Sequence, residues 1–383
     1  MVGRSGGSPF DRLRVSGWLR GVRALSPCGE WRPDVWERVA RRYPPWMAGI
    51  DTLPEAPTVA QIVIAATGDS PSDLRIVGQS VTAIAWRVEV DRAVEGGAYC
   101  VLVGLPTHGP ESEWPGAGGQ IEARAAVLRA LREGDPRCPD VFGTSTSEEV
   151  PERLRRWPWI VTSWMTGAPL EDAGAMTSDV AREVGGLLAT LHAIPVTGHG
   201  MLADTSKEIR GASDVPGTDF TSRWGQALWP FDGRPLAAHP LVRVAPQLAL
   251  QAGALREPLL AYAEQGARAL CHTDFSPGHI WVEDGRLAGL IDFGDASVLP
   301  PALDIAIFAS TYGWGHAESL LEGYARNSVR RDIRRAEAYQ LGVLVALQRI
   351  EKHAEVRPDE ARLRRAVEFL EATLPLAVRR MDA

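Results

Sequence analysis

Lysine is almost missing from this sequence: Lys207 and Lys352 are the only two in 383 residues. Arginine supplies nearly all the positive charge, and the formal net charge is −7. A nucleic-acid-binding face is therefore not expected, while a cationic ligand is permitted. Cysteine is scarce too. Cys28, Cys100, Cys138 and Cys271 form no CxxC pair, which argues against a disulfide framework or a thiolate zinc cluster and fits a reduced, cytoplasmic setting. No apolar run approaches the ~20 residues of a membrane-spanning helix, so no membrane partner is expected. Arg4, Arg12 and Arg14 are not followed by the apolar stretch a secretion signal needs. What is present is ordinary for a globular chain: 45% hydrophobic and 23% charged residues, enough for one large domain or two.

Local patterns divide the chain into three regions. Residues 1–50, rich in Arg, Gly, Pro and Trp, read as an N-terminal extension, with a short helix before Pro44 and Pro45 as its one candidate element. Residues 51–165 read as a β-rich lobe. It opens with a helix over 58–68 ended by Gly68, continues with the alternating stretch "LRIVGQSVTAIAWRVEVD" and the strands "AYCVLVGLP" and "WPWIVTSW", and is interrupted by a helix over 119–134. Residues 166–383 read as a mainly helical lobe. Thr177 caps a helix over 177–195 with an apolar stripe at Val180, Val184, Leu187 and Leu191, and a further helix is expected over 245–270.

The densest chemistry lies in "CHTDFSPGHIWVEDGRLAGLIDFGDA", residues 271–296. Asp284-Gly285 between "IWVE" and "RLAGL" predicts a two-residue hairpin turn. With that turn, Glu283 pairs with Arg286 and His279 with Leu290, so Asp292 falls on the same face as His279. Asp274 can curl over the same spot from the Ser-Pro-Gly loop. The three side chains together suit a metal-dependent phosphoryl transfer, with Asp274 orienting or deprotonating an alcohol and His279 and Asp292 holding the cation. Taken singly, either aspartate is as readily a turn cap.

The segment "HTDFSPGH…GLIDFGDA…PPALDIA" resembles the signature of the aminoglycoside phosphotransferase family, whose members have a protein-kinase-like fold. The match falls on His272, Asp274, Asp292, Asp295 and Asp304, and a weaker likeness extends over about residues 55–330. The resemblance implies an α+β, two-lobe fold and an ATP- or GTP-dependent kinase acting on a small-molecule hydroxyl, such as that of an aminoglycoside, macrolide or other antibiotic. It implies Asp274 as catalytic base, Asp292 as metal ligand, and His272 and Asp304 as structural supports. The family usually has Asn where this chain has His279, although some macrolide and aminoglycoside kinases also carry His. Magnesium prefers oxygen ligands, so a histidine here leaves manganese open beside magnesium.

The N-terminal lobe departs from this pattern. "VGQSVTAIAWRV" is a candidate phosphate-covering hairpin with Gly78 and Ser80 near its tip, or a plain β-turn. The strand "AYCVLVGLP" has no lysine: aligned on Pro106, the cation position falls on Gly104. Arg124 stands on the following helix where the family often has glutamate. It either supplies the missing phosphate cation or snorkels from a half-buried helix. Ser163 and Met165 are candidates for contacting the purine edge. Asp295, Glu318 and Glu322 are candidates for binding a cationic acceptor, although charge at this density often marks a solvated helix face. The 196–245 insert is either acceptor lining or packing. Two other readings remain open: a catalytically impaired binding protein, motivated by Gly104 and His279, and a metabolic kinase of choline, homoserine or amino-sugar type.

Overall fold

The computed structural model describes residues 54–79, 83–91, 97–104, 120–203, 208–217, 220, 229–231, 233, 235–328 and 333–378. The expected extension over 1–50 and its short helix, and Ser80, lie outside the described residues.

The first expected helix forms as α1 (Ala56–Thr67), with Pro57 in its first turn and Gly68 closing it at φ 78°. The alternating stretch forms β1 (Pro71–Gln79) and β2 (Ala83–Val90), followed by β3 (Ala98–Gly104), α2 (Ile121–Gly134), β4 (Val141–Thr144) and β5 (Trp159–Ser163). The five strands make one antiparallel sheet in the order β1-β2-β3-β5-β4. Its edge strand β4 has no counterpart in the sequence expectation, because four residues around a glycine carry no alternation. One face of this sheet packs Leu74, Ile84, Trp86, Val88, Tyr99, Val101, Val103, Trp159 and Val161 against Val59, Ile62 and Val63 of α1.

The other face looks toward the rest of the molecule. There α2 contributes Ile121, Ala125, Val127, Leu128 and Leu131 to the large core shared with the C-terminal helices. The helix that sequence assigns to the first lobe is thus packed into the second core, which brings its polar face to the groove between them.

The second part holds β6 (Ala168–Pro169), α3 (Ser178–Ala193), β7 (His199–Leu202), β8 (Gly211–Ser213), α4 (Pro246–Ala254), α5 (Arg256–Gln265), β9 (Ala269–Cys271), β10 (Ile280–Glu283), β11 (Arg286–Leu290) and β12 (Ser297–Leu299). These strands form two small sheets, β11-β10-β6 and β8-β7-β12-β9. The helices α6 (Pro301–Tyr312), α7 (Trp314–Asn327), α8 (Arg335–Glu351) and α9 (Glu360–Val378) complete it, with a π-helical turn at Lys352–Val356. Thr177 caps α3 as expected, its hydroxyl accepting from the Val180 N–H at 3.2 Å. The single helix expected over 245–270 is instead α4 and α5, broken at Leu255, followed by a bend and strand β9. Pro258, in the first turn of α5, has no N–H for the Ala254 carbonyl and sets that break, and Leu255 at the junction is fully buried. In the 196–245 insert, Phe220 and Trp229 are buried in the large core and Phe220 stacks on Phe231 at 4.4 Å, so its described aromatics serve packing.

Candidate active site

The site is built outward from Asp304, a fully buried carboxylate in the first turn of α6. It accepts the His272 N–H at 2.8 Å and the Thr273 N–H at 2.8 Å, and His192 Nε2 lies 3.1 Å away. The His192 Nδ1 in turn meets the Tyr324 hydroxyl at 3.2 Å. A buried carboxylate with this many partners fixes a loop backbone firmly. Thr273 sits at φ 71°, a conformation a β-branched residue adopts only under constraint, and its hydroxyl donates to the Asp295 carbonyl at 2.7 Å.

The His272 ring locks the next position. Its Nε2 lies 2.9 Å from the Ile291 carbonyl, and its Nδ1 accepts the Asp274 N–H at 3.2 Å. Those partners require a neutral ring protonated on Nε2. Burial, which outweighs the nearby carboxylates, holds its pKa below the ordinary histidine value. Asp274 is thereby presented from a backbone held on both sides.

The hairpin forms at Asp284-Gly285, with φ 50° and 75° as a type I′ turn needs. Its register corrects the sequence expectation. Glu283 pairs with Arg286, but Val282 pairs with Leu287 and Trp281 with Gly289, so Ala288 bulges out and Leu290 faces Ile280, not His279. Gly289 sits in a tight spot: a Cβ there would meet the Met165 methyl and the Arg137 carbonyl. His279 instead accepts the Ile291 N–H on its carbonyl at 2.9 Å. Simple alternation would then separate His279 from Asp292. They meet because Asp292 leaves the strand in the left-handed region, at φ 63°, which turns its side chain back.

The result is a row of three groups. His279 Nδ1 lies 3.1 Å from the Asp274 carbonyl and 3.4 Å from Asp274 Oδ2, and His279 Nε2 lies 3.4 Å from Asp292 Oδ2. With Nδ1–H directed at Asp274, a neutral ring turns the Nε2 lone pair toward a carboxylate oxygen, an arrangement that calls for a cation between them. Lost hydration disfavours charge on the ring, but Asp292 and then Asp274 outweigh it and raise the His279 pKa above its usual range. Lost hydration alone would raise Asp292; Arg124, His279 and the Gly294 N–H outweigh it and hold that carboxyl below the usual range. The separation also suits a metal, since two adjacent ligands at about 2.1 Å from one ion lie roughly 3 Å apart. His279 and Asp292 therefore fit a divalent cation, with Asp295, exposed and close enough to act on the His279 charge, beside them.

A second cluster, His192, Cys271 and Asp304, also has ligand atoms within 4.8 Å of one another. It is fully buried, and Asp304 already receives two backbone N–H groups. That cluster fits a structural network better than a metal site.

Arg124 reaches this groove. Its side chain is only 13% exposed, and Nη1 lies 3.6 Å from Asp292 Oδ1. Its guanidinium covers Gly294, where a Cβ would collide with it. Its Nε is buried and has no hydrogen-bond partner among the described residues. A snorkelling arginine would show its head to water; this one holds an unsatisfied donor beside the candidate metal carboxylate, which fits an anionic phosphate.

The N-terminal lobe contains cations and rings that sequence reading missed. Arg87 on β2 lies opposite Cys100 of β3, and its guanidinium sits 4.8 Å over the Trp164 ring. Trp164 packs edge-on against Trp281 of β10 at 5.6 Å. Alternation along β2 gave the signal, because Arg87 falls on the face opposite the apolar Trp86 and Val88. At the expected cation position, Gly104 ends β3 opposite Ala83. Gly78 pairs with Ala85 near the end of β1, as the covering hairpin requires, and the tip lies outside the described residues. Ser163 offers less than expected: its N–H donates to the Asp140 carbonyl at 2.9 Å and its hydroxyl accepts the Asp140 N–H at 2.9 Å, which leaves its carbonyl, already accepting the Thr162 hydroxyl at 3.2 Å, as its group for a purine. The Trp164 N–H is likewise taken by the Ala98 carbonyl at 3.0 Å. Met165 makes no backbone hydrogen bond among the described residues and is the position left for a base edge.

Glu318 and Glu322 are corrected too. Glu318 pairs with Arg335 at 2.8 Å and with the Tyr339 hydroxyl at 3.1 Å, and Glu322 pairs with Arg182 of α3 at 2.8 Å. Both carboxylates brace α7 against neighbouring helices. Sequence spacing places them on one helix but says nothing of which arginines come to meet them.

Comparison with known proteins follows the same lines. The aminoglycoside phosphotransferase APH(4)-Ia, in a thermostable variant solved with AMP-PNP and hygromycin B, superposes with a TM-score of 0.53 at 15% identity, covering 84% of this chain and 99% of that one. The macrolide 2′-phosphotransferase MphH from Brachybacterium faecium gives 0.50 at 17% identity, covering 83% and 98%. These likenesses establish the kinase-like, two-lobe α+β fold. In sequence, the uncharacterised protein YcbJ of Bacillus subtilis (strain 168) is 28% identical over 129 residues, 32% of this chain, and the match spans only 41% of YcbJ. The profile of the phosphotransferase enzyme family matches residues 115–339, which contain α2, Arg124, the loop of His272–Asp274, the hairpin and Asp304, and the chain belongs to that family.

Proposed function

We propose that this protein transfers the terminal phosphoryl group of ATP or GTP to a hydroxyl of a small molecule. The observation that carries the reading is the convergence of Asp274, His279 and Asp292, with His279 3.4 Å from each carboxylate. Asp274 accepts the acceptor's hydroxyl proton as the oxygen–phosphorus bond forms and the bond to the leaving diphosphate breaks. His279 and Asp292 hold a divalent cation, magnesium or manganese. Such a cation neutralises phosphate oxygens when bound. Arg124 steadies Asp292 and lends its unsatisfied N–H to the phosphates, taking over the charge that Gly104 lacks. Met165 and the Trp164–Trp281 pair offer the base an edge and an apolar wall. APH(4)-Ia and MphH are named for antibiotic acceptors, and an antibiotic is one acceptor this reading admits.

The binding-protein alternative loses ground on geometry, since a scaffold does not need a proton acceptor on a strained loop beside a cation pocket. The test is nucleotide turnover with magnesium or manganese, in wild type and Asp274→Asn. Metal-dependent nucleotide binding with no turnover in either protein would remove the enzyme reading.

A further inference from the structure

Asp274 faces a second neighbourhood besides His279. Phe275 packs edge-on against Phe308 at 5.7 Å, and Phe308 meets Tyr312 at 4.7 Å, so a row of rings runs from the catalytic loop to the end of α6. The Tyr312 hydroxyl is buried and has no hydrogen-bond partner among the described residues. The charge of Asp274 acts on it, after burial, to raise its pKa. Arg349 of α8 is clamped onto the same helix end, donating from Nη1 to the Ser310 carbonyl at 2.8 Å and approaching Thr311 Oγ1 with Nη2 at 3.3 Å.

Arg349 is half-buried and forms no ion pair with a carboxylate among the described residues. Burial holds its pKa down to about 10, and Arg362 and Arg365 add to the depression; only Asp274 opposes it. Lys352, one of the chain's two lysines, follows in the next turn. Its ammonium is lowered by lost hydration and then by Arg357, Arg349 and Arg362, again opposed by Asp274. Of the acids nearby in sequence, Asp359 pairs with Arg362 at 3.4 Å, Glu355 with Arg243 at 2.6 Å and Glu360 with Arg364 at 3.6 Å, while Glu351, next to Lys352, is buried. Glu171, which also acts on Tyr312, lies beside Gly278. The Asp274 carboxylate is thus within electrostatic reach of two cations that repel one another and of an unsatisfied hydroxyl. Lys352 and arginines such as Arg362 and Arg365 are exposed and can be a solvated face, but Arg349 and Tyr312 are not exposed enough for that account. An anion is what relieves such an arrangement.

We infer that the acceptor carries, besides its reactive hydroxyl, an acidic group that sits on Arg349 and Lys352 and receives the Tyr312 hydroxyl. The inference rests on Asp274 being the proton acceptor in phosphoryl transfer. It departs from the cationic acceptor that Asp295, Glu318 and Glu322 would have suited.

Four sugars of one skeleton test it: glucuronate, glucose 6-phosphate, glucose and glucosamine. Each is added to the full chain with magnesium and ATP or GTP, and products are followed by phosphoryl mass gain. Phosphorylation of one or both acidic sugars ahead of glucose and glucosamine is expected, and which one responds distinguishes carboxylate from phosphate. Arg349→Gln and Lys352→Gln should each raise KM for the acidic sugar at least about tenfold, the worth of one charged hydrogen bond, and leave KM for the nucleotide unchanged. Arg349→Lys should recover part of that loss, which a purely structural arginine would not predict. Better turnover of glucosamine or glucose, no response to either acidic sugar, or an unchanged KM in both Gln variants overturns the inference. Binding of the magnesium nucleotide, followed in parallel by calorimetry, separates the two levels: intact nucleotide binding with a failed acid preference sinks only the acceptor class, whereas no nucleotide binding sinks the phosphotransferase reading and this inference with it.

Discussion

His279 Nε2 lies 3.4 Å from Asp292 Oδ2 while Nδ1 of the same ring is 3.1 Å from the Asp274 carbonyl. One imidazole therefore joins the loop that carries Asp274, the proposed base, to the carboxylate that would hold the cation. Its raised pKa means that, without metal, the folded chain keeps a proton here to higher pH than the unfolded chain does, which stabilises the fold. The sign follows from linkage: the contribution is complete below the unfolded value of about 6.5 and is lost as pH rises through the higher folded value. His279→Asn should remove this component, so the difference in unfolding free energy between wild type and variant, without metal, should shrink as pH rises above about 6.5. Metal must displace the same proton, so manganese affinity should rise with pH in wild type and much less in His279→Asn. Parallel pH profiles in the two proteins would show that His279 neither holds that proton nor meets the metal.

Asp274→Asn keeps the shape of the loop but removes the proton acceptor. Turnover should fall by roughly 10²- to 10⁴-fold, the usual worth of a positioned general base. Binding of the magnesium nucleotide should change little, because His279 and Asp292 stay in place. Calorimetry with a non-hydrolysable nucleotide checks this; lost binding would make Asp274 part of the cation site instead.

The fold was largely readable because it rests on patterns with a short period. Alternation announces β1 and β2, an apolar run announces β3, Gly68 closes α1, Thr177 opens α3, and Asp284-Gly285 makes the hairpin. What sequence could not give depends on single departures from period or on partners far along the chain. The bulge at Ala288 breaks alternation, and the left-handed turn at Asp292 restores the meeting with His279 by another route. Ser163 is spent on Asp140, and Glu322 on Arg182, 140 positions away. Arg349 reaches the end of α6 from 39 positions on, and no local spacing marks it.

Asp304 organises the loop without touching the reaction. Asp304→Ala would strand the His272 and Thr273 N–H groups and His192 Nε2 in a dry site. Each orphaned buried group costs about 1–3 kcal/mol, so the unfolding free energy should drop by roughly 3–5 kcal/mol. Denaturant titration measures it. Asp304→Asn, which can still accept through its amide oxygen, should lose less. Equal losses in the two variants would mean that packing volume, not hydrogen bonding, is what Asp304 provides.

Arg124 and Gly294 should behave as one unit. The guanidinium lies where a Gly294 side chain would be and 3.6 Å from Asp292 Oδ1. Gly294→Ala must push Arg124 aside, so it should weaken binding of the magnesium nucleotide, as Arg124→Ala does by removing the charge outright. Once Arg124 is gone the methyl group has room. Adding Gly294→Ala to Arg124→Ala should therefore cost little more, giving a coupling of about 0.5–3 kcal/mol in a double-mutant cycle. Arg124→Lys should fall between, since an ammonium keeps the charge but not the planar fork. Nucleotide dissociation constants for the single and double variants decide it. Strictly additive losses would separate the two residues and leave Arg124 without a role at Asp292.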